Sequence, residues 1–183
     1  MDLLIRHTRR LCFEPIGGQH ACRLFTALSH PLVHQYLDGG PPQSPEQLAV
    51  QLECMAFGPP EVGAAETWIN YAVQRRSDQQ WIGRIQATVY GTWAETAYLF
   101  GPEYWGQGYA TESLSWLHWS LESEHSVPEF WATCAPENKR SHRVLFRTGY
   151  LKSERISTRP LSSYAAGDFV FQRLRSTEAV RSQ

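Results

Sequence analysis

The chain has 183 residues, a length that favours one globular domain able to bury roughly two thirds of its unfolded surface. Its formal net charge of −1 at pH 7 argues against a nucleic-acid-binding protein, because such proteins usually carry a basic excess or a basic stripe. The arginines do cluster locally, and we interpret both clusters as solvent-exposed faces: Arg6, Arg9, Arg10, Arg140, Arg143 and Arg147.

The cysteines and the lack of long apolar segments predict where in the cell the protein is located. Four cysteines lack the spacing of a metal site or a disulfide framework, so we expect free thiols in a reducing compartment and no bound metal. No cleavable apolar region begins the chain, and no apolar run approaches the ~20 residues of a membrane span. We expect a soluble cytoplasmic protein that binds neither nucleic acid nor a membrane, as a monomer or a homodimer.

The first third of the chain alternates strand and helix signals. Residues 3–14 predict a strand with a bend, and helical periodicity follows from Gln19 to Leu28. Ser29-His30-Pro31 predicts a short helix capped by Ser29. Ser44-Pro45-Glu46-Gln47 predicts a third helix, with a serine cap and Gln47 at the capping-box position. The inner face of that helix is predicted to carry Leu48, Leu52 and Met55.

The period of the hydrophobic pattern changes to two at Thr67. Strands are predicted over residues 67–73, 80–90 and 94–100, and the short loops between them indicate an antiparallel meander. In the second strand, the alternation predicts one face formed by Ile82, Arg84, Gln86 and Thr88.

A glycine-spaced loop, Trp105-Gly106-Gln107-Gly108-Tyr109-Ala110, separates the last of these strands from a helix. Two glycines one residue apart let several backbone N–H groups turn towards one point, and the first turn of the helix adds unpaired N–H groups and partial positive charge. This geometry is typical of a phosphate cradle, although the same pattern also serves ordinary tight turns. A Walker A loop is excluded by Tyr109-Ala110, and a dinucleotide fingerprint by Thr111 in place of a third glycine.

The last third predicts a crossover and two closing strands. A strand over residues 128–134 follows the long helix, and residues 138–147 form a helix with Asn138 as its cap and Gly149 at its stop. A strand, helix, strand order implies a parallel pair inside the sheet. Strands over 150–157 and 167–174 complete the sheet, and residues 176–183 are expected to fray.

Two blocks of sequence resemble the GNAT N-acetyltransferase superfamily. The segment Pro102-Glu103-Tyr104-Trp105-Gly106-Gln107-Gly108-Tyr109-Ala110 is similar to its acetyl-CoA loop, with a Trp-Gly that is usual in the RimJ/RimL-like branch of ribosomal-protein N-terminal acetyltransferases. Asn138 to Ser141, Val144-Leu145 and Gly149-Tyr150 resemble the second block of that branch. The resemblance implies an α/β (α+β) acetyltransferase fold over residues 1–175: a mixed, mostly antiparallel sheet of about seven strands flanked by helices, with a parallel pair at the cofactor cleft.

The resemblance also implies acetyl-CoA as the cofactor and an amine as the acceptor. Backbone groups of residues 107–111 would hold the diphosphate, and those of residues 98–100 would bind the pantetheine arm and stabilise the developing oxyanion. Gly101-Pro102 would keep that strand apart from the strand over 128–134. The implied cofactor-binding residues are Leu99, Phe100, Trp105, Gly106, Gln107, Gly108, Tyr109, Ala110, Thr111, Asn138 and Ser141.

Two side chains are candidates for catalysis. Ser141 lies on the apolar stripe of its helix, where its hydroxyl would protonate the leaving thiolate; the alternative is a serine bonded into its own helix. The glutamate that some members of the branch carry after the second block is missing from residues 155–160, which leaves Glu95 as the candidate base or as a solvated acid. Glu66, Glu103, Glu154 and a water relay stay open, and His30 and His34 are interpreted as structural.

The acceptor is not fixed by these motifs. It is either a protein or peptide N-terminus, as the branch suggests, or a small-molecule amine such as an antibiotic or a metabolite. Stacking on Trp68, Trp81 or Trp93 would favour a planar small molecule. The alternatives from other classes are a module that binds acyl-CoA without catalysis and a nucleotide-binding regulator.

Overall fold

The architecture is built on one mixed sheet. A computed structural model describes residues 6–60, 65–153 and 160–175. Within these residues, eight strands follow the order β1-β2-β3-β4-β5-β6-β8-β7. Adjacent strands pair antiparallel, except for the parallel pair of β5 and β6. The strands are β1 (Arg6–His7), β2 (Leu11–Pro15), β3 (Thr67–Arg75), β4 (Trp81–Tyr90), β5 (Trp93–Phe100), β6 (Glu129–Cys134), β7 (Leu151–Lys152) and β8 (Phe169–Leu174).

The predicted fold class is confirmed, including the meander of β3, β4 and β5 and the parallel pair. The predicted first strand is in fact two strands, because the chain reverses at its bend and β1 pairs antiparallel with β2, with Arg6 opposite Phe13. That hairpin accounts for the eighth strand, where about seven were expected.

Helices cover both faces of the sheet. The four α-helices are α1 (Ala21–Leu28), α2 (Pro45–Phe57), α3 (Tyr109–Glu124) and α4 (Lys139–Arg147). Buried side chains of α1 and α2 pack with Ala72, Trp81 and Leu99 in one cluster. The larger cluster joins α3 and α4 to side chains that include Ile85 and Phe130. The inner face of α3 carries Leu114, Leu117 and Leu121, which are fully buried.

The predicted face of β4 that begins with Ile82 is wrong at that residue. Simple alternation puts Ile82 on the same face of β4 as Arg84, but Ile82 is buried in the cluster that also holds Ile85. The reason is a register shift against β3: Val73 is opposite Gly83, and the next residue, Gln74, is opposite Trp81. Ile82 is the extra residue of this β-bulge, and a bulge redirects a side chain across the sheet.

Helix ends follow the predicted chemistry in part. Ser44 Oγ accepts a hydrogen bond from Gln47 N (3.2 Å) at the start of α2, but the Gln47 side chain accepts from Gln43 N (2.6 Å) instead of completing a capping box. Ser29 ends α1 and does not cap the next helix. The short 3₁₀ helix Pro31–Val33 is capped by His30, whose Nδ1 accepts from Leu32 N (3.2 Å).

The second half of the fold follows its predicted boundaries closely. Asn138 caps α4 through a hydrogen bond from Ser141 N, and Gly149 has the expected positive φ of 88°. Three predicted segments lie outside the described residues. They are the start of the first strand (residues 3–5), the continuation of the β7 strand (154–157) and the frayed tail (176–183).

Candidate functional site

The parallel strands β5 and β6 diverge along their length. Three positions of β5 pair with β6, ending where Glu95 is opposite Trp131. In the described chain, no β5–β6 pairing continues beyond this point, so the last residues of the two strands border a wedge-shaped gap. Gly101 N donates to Ile82 O (3.0 Å), which directs the main-chain groups of odd-numbered residues towards β4. The N–H groups of Tyr98 and Phe100 therefore point into the gap.

The wide end of the gap meets the glycine loop. Gly106 and Gly108 have φ of 74° and 82°, and α3 begins at Tyr109. Within the three described ranges, we find no hydrogen bond donated by the backbone N–H groups of residues 106–111. A Cβ on Gly106 would meet no atom within 4 Å. The loop thus presents unpaired donors around open space, which is the arrangement that an anion requires.

Side chains hold this loop in position. Trp105 Nε1 donates to Phe100 O (2.7 Å), which ties the loop to the end of β5. The guanidinium of Arg140 lies over the indole ring, 4.0 Å from the ring centroid. Arg10 Nη1 donates to Gln107 O (2.9 Å) from the opposite edge of the sheet. Trp105 therefore acts as a structural clamp between β5 and α4.

Ser141 lies in the first turn of α4 and faces β5. Its Oγ is 2.7 Å from the hydroxyl of Tyr98, and either atom can be the donor. The alternative of a serine bonded only into its own helix is therefore wrong. Burial raises the pKa of the Tyr98 phenol well above its usual range, so the pair stays neutral. The structure thus adds the Tyr98 side chain to a site for which only main-chain groups of this residue were predicted.

A buried polar chain fills the narrow end of the gap. The Tyr150 hydroxyl is 2.7 Å from Thr96 Oγ1 and 2.9 Å from His118 Nε2. Burial, together with the charge of Arg173, lowers the pKa of His118 to about 3. These hydrogen-bonded side chains were not predicted, although the sequence carries one signal. His118 is four residues after Leu114 and three before Leu121, on the apolar stripe of α3.

Glu95 lies on the opposite face of β5 and is only 4% exposed. Its carboxylate accepts from Ser162 N (2.8 Å), Ser162 Oγ (2.8 Å), Ser163 N (3.0 Å) and Ser163 Oγ. A solvated acid is therefore the wrong interpretation. The same hydrogen bonds anchor the loop that precedes β8 to the carboxylate of Glu95.

The other base candidates are dispersed. Glu66 accepts from Trp68 Nε1 (2.9 Å), Glu103 lies in the 3₁₀ helix Pro102–Tyr104, and Glu154 lies outside the described residues. His34 Nε2 is 2.6 Å from Leu28 O, which agrees with a structural role.

The face of the sheet that carries Glu95 also carries a half-buried cation. Arg84 is opposite Leu99 in the β4–β5 register, and burial lowers its pKa to about 10. In the described part of the chain, its side chain has one hydrogen-bond partner, Gln86 Oε1, and no carboxylate.

Two of the three candidate tryptophans are not available to stack on a ligand. Trp81 is buried and contacts the edge of His20. Trp93 is buried and stacks on Tyr90, with ring centroids 4.2 Å apart. Trp68 lines a cavity of about 280 Å³ between the end of α2 and the end of α3.

Sequence and structure comparisons point to one family. The sequence matches the acetyltransferase (GNAT) domain over residues 10–151, more than half of the chain. A Vibrio cholerae structure assigned as a ribosomal-protein-serine acetyltransferase is similar with a TM-score of 0.76 and 22% identity, covering 95% of this chain and 99% of that one. Among curated proteins, no sequence match is found.

Two further solved structures share the fold. RimL, a ribosomal L7/L12 α-N-protein acetyltransferase in complex with coenzyme A, has a TM-score of 0.74 and 16% identity, covering 93% of this chain and 97% of that one. A GNAT-family acetyltransferase from Bacillus anthracis has a TM-score of 0.73 and 20% identity, covering 93% and 98%. In the described residues, no helix is long and apolar enough to cross a membrane, and no cluster of His, Cys, Asp and Glu could hold a metal ion.

Proposed function

Because the chain belongs to the GNAT acetyltransferase family, we propose that it transfers the acetyl group of acetyl-CoA to a primary amine by direct attack of the amine on the thioester. The observation that carries this proposal is the continuity of the β5–β6 gap with the unpaired amides of residues 106–111. An extended chain that ends in a diphosphate fits such a path, because a strand edge can bind its amide groups and a helix N-terminus can bind its charge.

The cofactor would lie along β5. The N–H groups that face the gap, those of Tyr98 and Phe100, are available to its amide arm. The loop residues 106–111 would bind the diphosphate through main-chain donors, with Trp105 fixing the loop to Phe100 O. Asn138 and Ser141 would contact the arm from α4, since both lie in the turn that faces β5.

Protonation of the departing thiolate is the role we assign to Ser141. The leaving thiol has a pKa near ~8.5, so a nearby hydroxyl that is itself held by a neutral phenol can supply its proton. The contact between Ser141 Oγ and the Tyr98 hydroxyl supports this assignment, because a hydrogen bond from the neutral phenol orients the serine hydroxyl. The proton that Ser141 gives to the thiolate would be replaced by the one that the acceptor amine releases.

Glu95 is the candidate for accepting the proton of the amine. Its face of β5 is opposite the face that carries Tyr98, which suits an acceptor that approaches the thioester from the other side of the sheet. Its carboxylate accepts four hydrogen bonds, which hold it in place. An α-amine, with a pKa near ~8, needs less help than a lysine near ~10.4.

These points favour a protein or peptide N-terminus over a small aromatic amine as the acceptor. An α-amine needs less help from a base than a lysine does, and the burial of Trp81 and Trp93 removes two of the three predicted stacking surfaces. The Vibrio cholerae structure and RimL are both named as acetyltransferases of ribosomal proteins, which agrees with this choice.

A turnover screen tests the proposal. Purified protein is mixed with acetyl-CoA and a panel of peptides and small amines, and release of free thiol is followed. We expect turnover with at least one α-amine, whereas binding of acetyl-CoA without turnover on any amine would favour a non-catalytic acyl-CoA-binding module. Protection by ATP or NAD, but not by coenzyme A, would indicate a nucleotide-binding regulator.

Ser141→Ala tests the role of the serine in the same assay. We expect turnover to fall by at least ~10-fold, because positioned proton transfer typically contributes ~10²–10⁴-fold, with little change in the affinity for coenzyme A. Ser115→Ala, on the exposed face of α3, is the matched control. Unchanged turnover in Ser141→Ala would remove the serine from the mechanism.

A further inference from the structure

A cavity of about 400 Å³ opens beside the first residue of α3, and arginines form most of its wall. Arg9 and Arg10 come from the turn between β1 and β2, and Arg75 and Arg76 come from the end of β3. The register of the sheet brings the two pairs together, because Leu11 is opposite Arg75. Arg76 N also donates to Arg10 O (2.9 Å), which fixes the two turns against each other.

The positive charges of this cavity are only half compensated. Asp78 pairs with Arg75, and Glu112 pairs with Arg10 through Nε at 2.6 Å. Arg76 Nη1 donates to the carbonyl of Thr8 (2.9 Å), which leaves its charge in place. In the described ranges, neither Arg9 nor Arg76 has a carboxylate partner. Like charges held this close repel one another, and an anion between them relieves the repulsion.

The arginine cavity is continuous with the glycine loop. Tyr109 forms part of its wall and is also the first residue of α3. The guanidinium of Arg10 lies 4.6 Å from the centroid of the Tyr109 ring, and its Nη1 holds Gln107 O. A Cβ on Gly108 would lie 3.5 Å from Arg10 Nη2. An anion in the loop and a second anion in the cavity would therefore be neighbours.

We propose that the arginine cavity binds the 3′-phosphate of coenzyme A, with Arg9 and Arg76 as its main partners. This inference rests on the proposed function, in which the loop binds the diphosphate. In coenzyme A a single ribose separates the diphosphate from a phosphomonoester, which carries most of a second negative charge at neutral pH. Guanidinium groups match three terminal phosphate oxygens in geometry as well as in charge.

The ligand itself provides a clean test, because 3′-dephospho-coenzyme A lacks only this phosphate. Affinities for the two compounds are measured by isothermal titration calorimetry on the full chain. We expect the unmodified protein to bind coenzyme A about 10- to 100-fold more tightly, the range for charge-assisted hydrogen bonds. Arg9→Gln combined with Arg76→Gln should remove this preference and leave the affinity for the dephospho compound unchanged.

Further variants keep the test decisive. Arg9→Glu should reverse the preference even if the double variant is unstable, since the exposed Arg9 side chain makes no ion pair with a described residue. Arg23→Gln, on the exposed side of α1, is the matched control and should keep the full preference. Arg140→Gln tests the other basic group beside the loop, the one that stacks on Trp105.

The possible outcomes distinguish failure of the phosphate site from failure of the proposed function. Equal binding of the two compounds by the unmodified protein would overturn this inference alone. A preference that survives Arg9→Glu, or that is lost in Arg140→Gln, would also overturn it, by locating the phosphate elsewhere. Failure to bind either compound would overturn the proposed function, and the inference with it.

Discussion

Protonation of His118 should destabilise this fold through one buried group. The His118 ring is 3% exposed, and its Nε2 is 2.9 Å from the Tyr150 hydroxyl. Burial and the nearby charge of Arg173 lower its pKa to about 3, whereas in the unfolded chain it should be near ~6.5. The native state therefore binds fewer protons between these values. The stabilisation from neutral His118 is complete above about pH 6.5 and is lost as the pH falls towards about 3.

The magnitude follows from the two pKa values. The interval from about 6.5 down to about 3, at ~1.36 kcal/mol for each pH unit, gives an upper limit of about 5 kcal/mol. Typical domains have unfolding free energies of only ~5–15 kcal/mol, so this one group can decide whether the fold survives acid. Arg173 is itself paired with Glu122 through Nη1 at 2.5 Å, which holds the arginine charge near the ring.

The assay compares the unmodified protein with His118→Gln, whose amide can bond to Tyr150 but does not titrate. Urea denaturation is followed by tryptophan fluorescence from about pH 7.5 to about pH 4.5. Below about pH 6.5, we expect the advantage of the unmodified protein to shrink by ~1.4 kcal/mol per pH unit. His125→Gln, at the exposed end of α3, is the control. A difference between the unmodified protein and His118→Gln that does not change with pH would refute the assignment of a neutral buried histidine.

Three further substitutions separate binding, anchoring and stability. Gly108→Val should reduce coenzyme A affinity at least ~10-fold in a calorimetric titration, because it puts a branched side chain beside the phosphate donors. Gly39→Val is the control. It introduces the same backbone strain of ~1–2 kcal/mol at a positive φ but should bind coenzyme A normally. Glu95→Gln should lower the unfolding free energy in urea by ~1–3 kcal/mol, because its amide nitrogen would face backbone donors. If Glu95 is also the base, turnover of this variant should recover as the pH rises. Arg84→Met should raise the unfolding free energy by ~1 kcal/mol, since it removes a half-buried cation that has no acid partner among the described residues, and an unchanged or lower urea midpoint would contradict this.

The parts of the fold that local sequence determines were predicted correctly. The glycine pair 106 and 108, the helix that follows it and the cap at Asn138 each depend on a few adjacent residues, because backbone freedom and capping act over one turn. The order of strand, helix and strand then required a parallel pair. Local reasoning failed at Ile82, where a single bulged residue reverses the alternation, and at Ser29, where His30 provides the cap instead.

The side-chain constellations of the site could not be predicted in the same way. Two contacts form the site: Tyr98 with Ser141, and His118 with Tyr150. Each contact joins residues that are far apart in the sequence, and it forms only because α3 and α4 pack against the sheet next to β5. The arginine cavity depends on the register of β2 against β3, which joins two Arg-Arg pairs that each resemble an exposed turn when taken alone. Contacts between distant segments carry no periodic signal in the sequence.

The gap between β5 and β6 connects the stability of this protein to its site. Unpaired backbone donors inside a sheet are unfavourable, so two neighbouring parallel strands should close on each other unless something keeps them apart. Here the side chains of Thr96, Tyr150 and His118 fill the narrow end of the gap, and Trp105 holds the far end of β5. Acid that charges His118 would act on this wedge first. The affinity for coenzyme A should therefore fall at a higher pH than global unfolding does, and in His118→Gln the two losses should coincide.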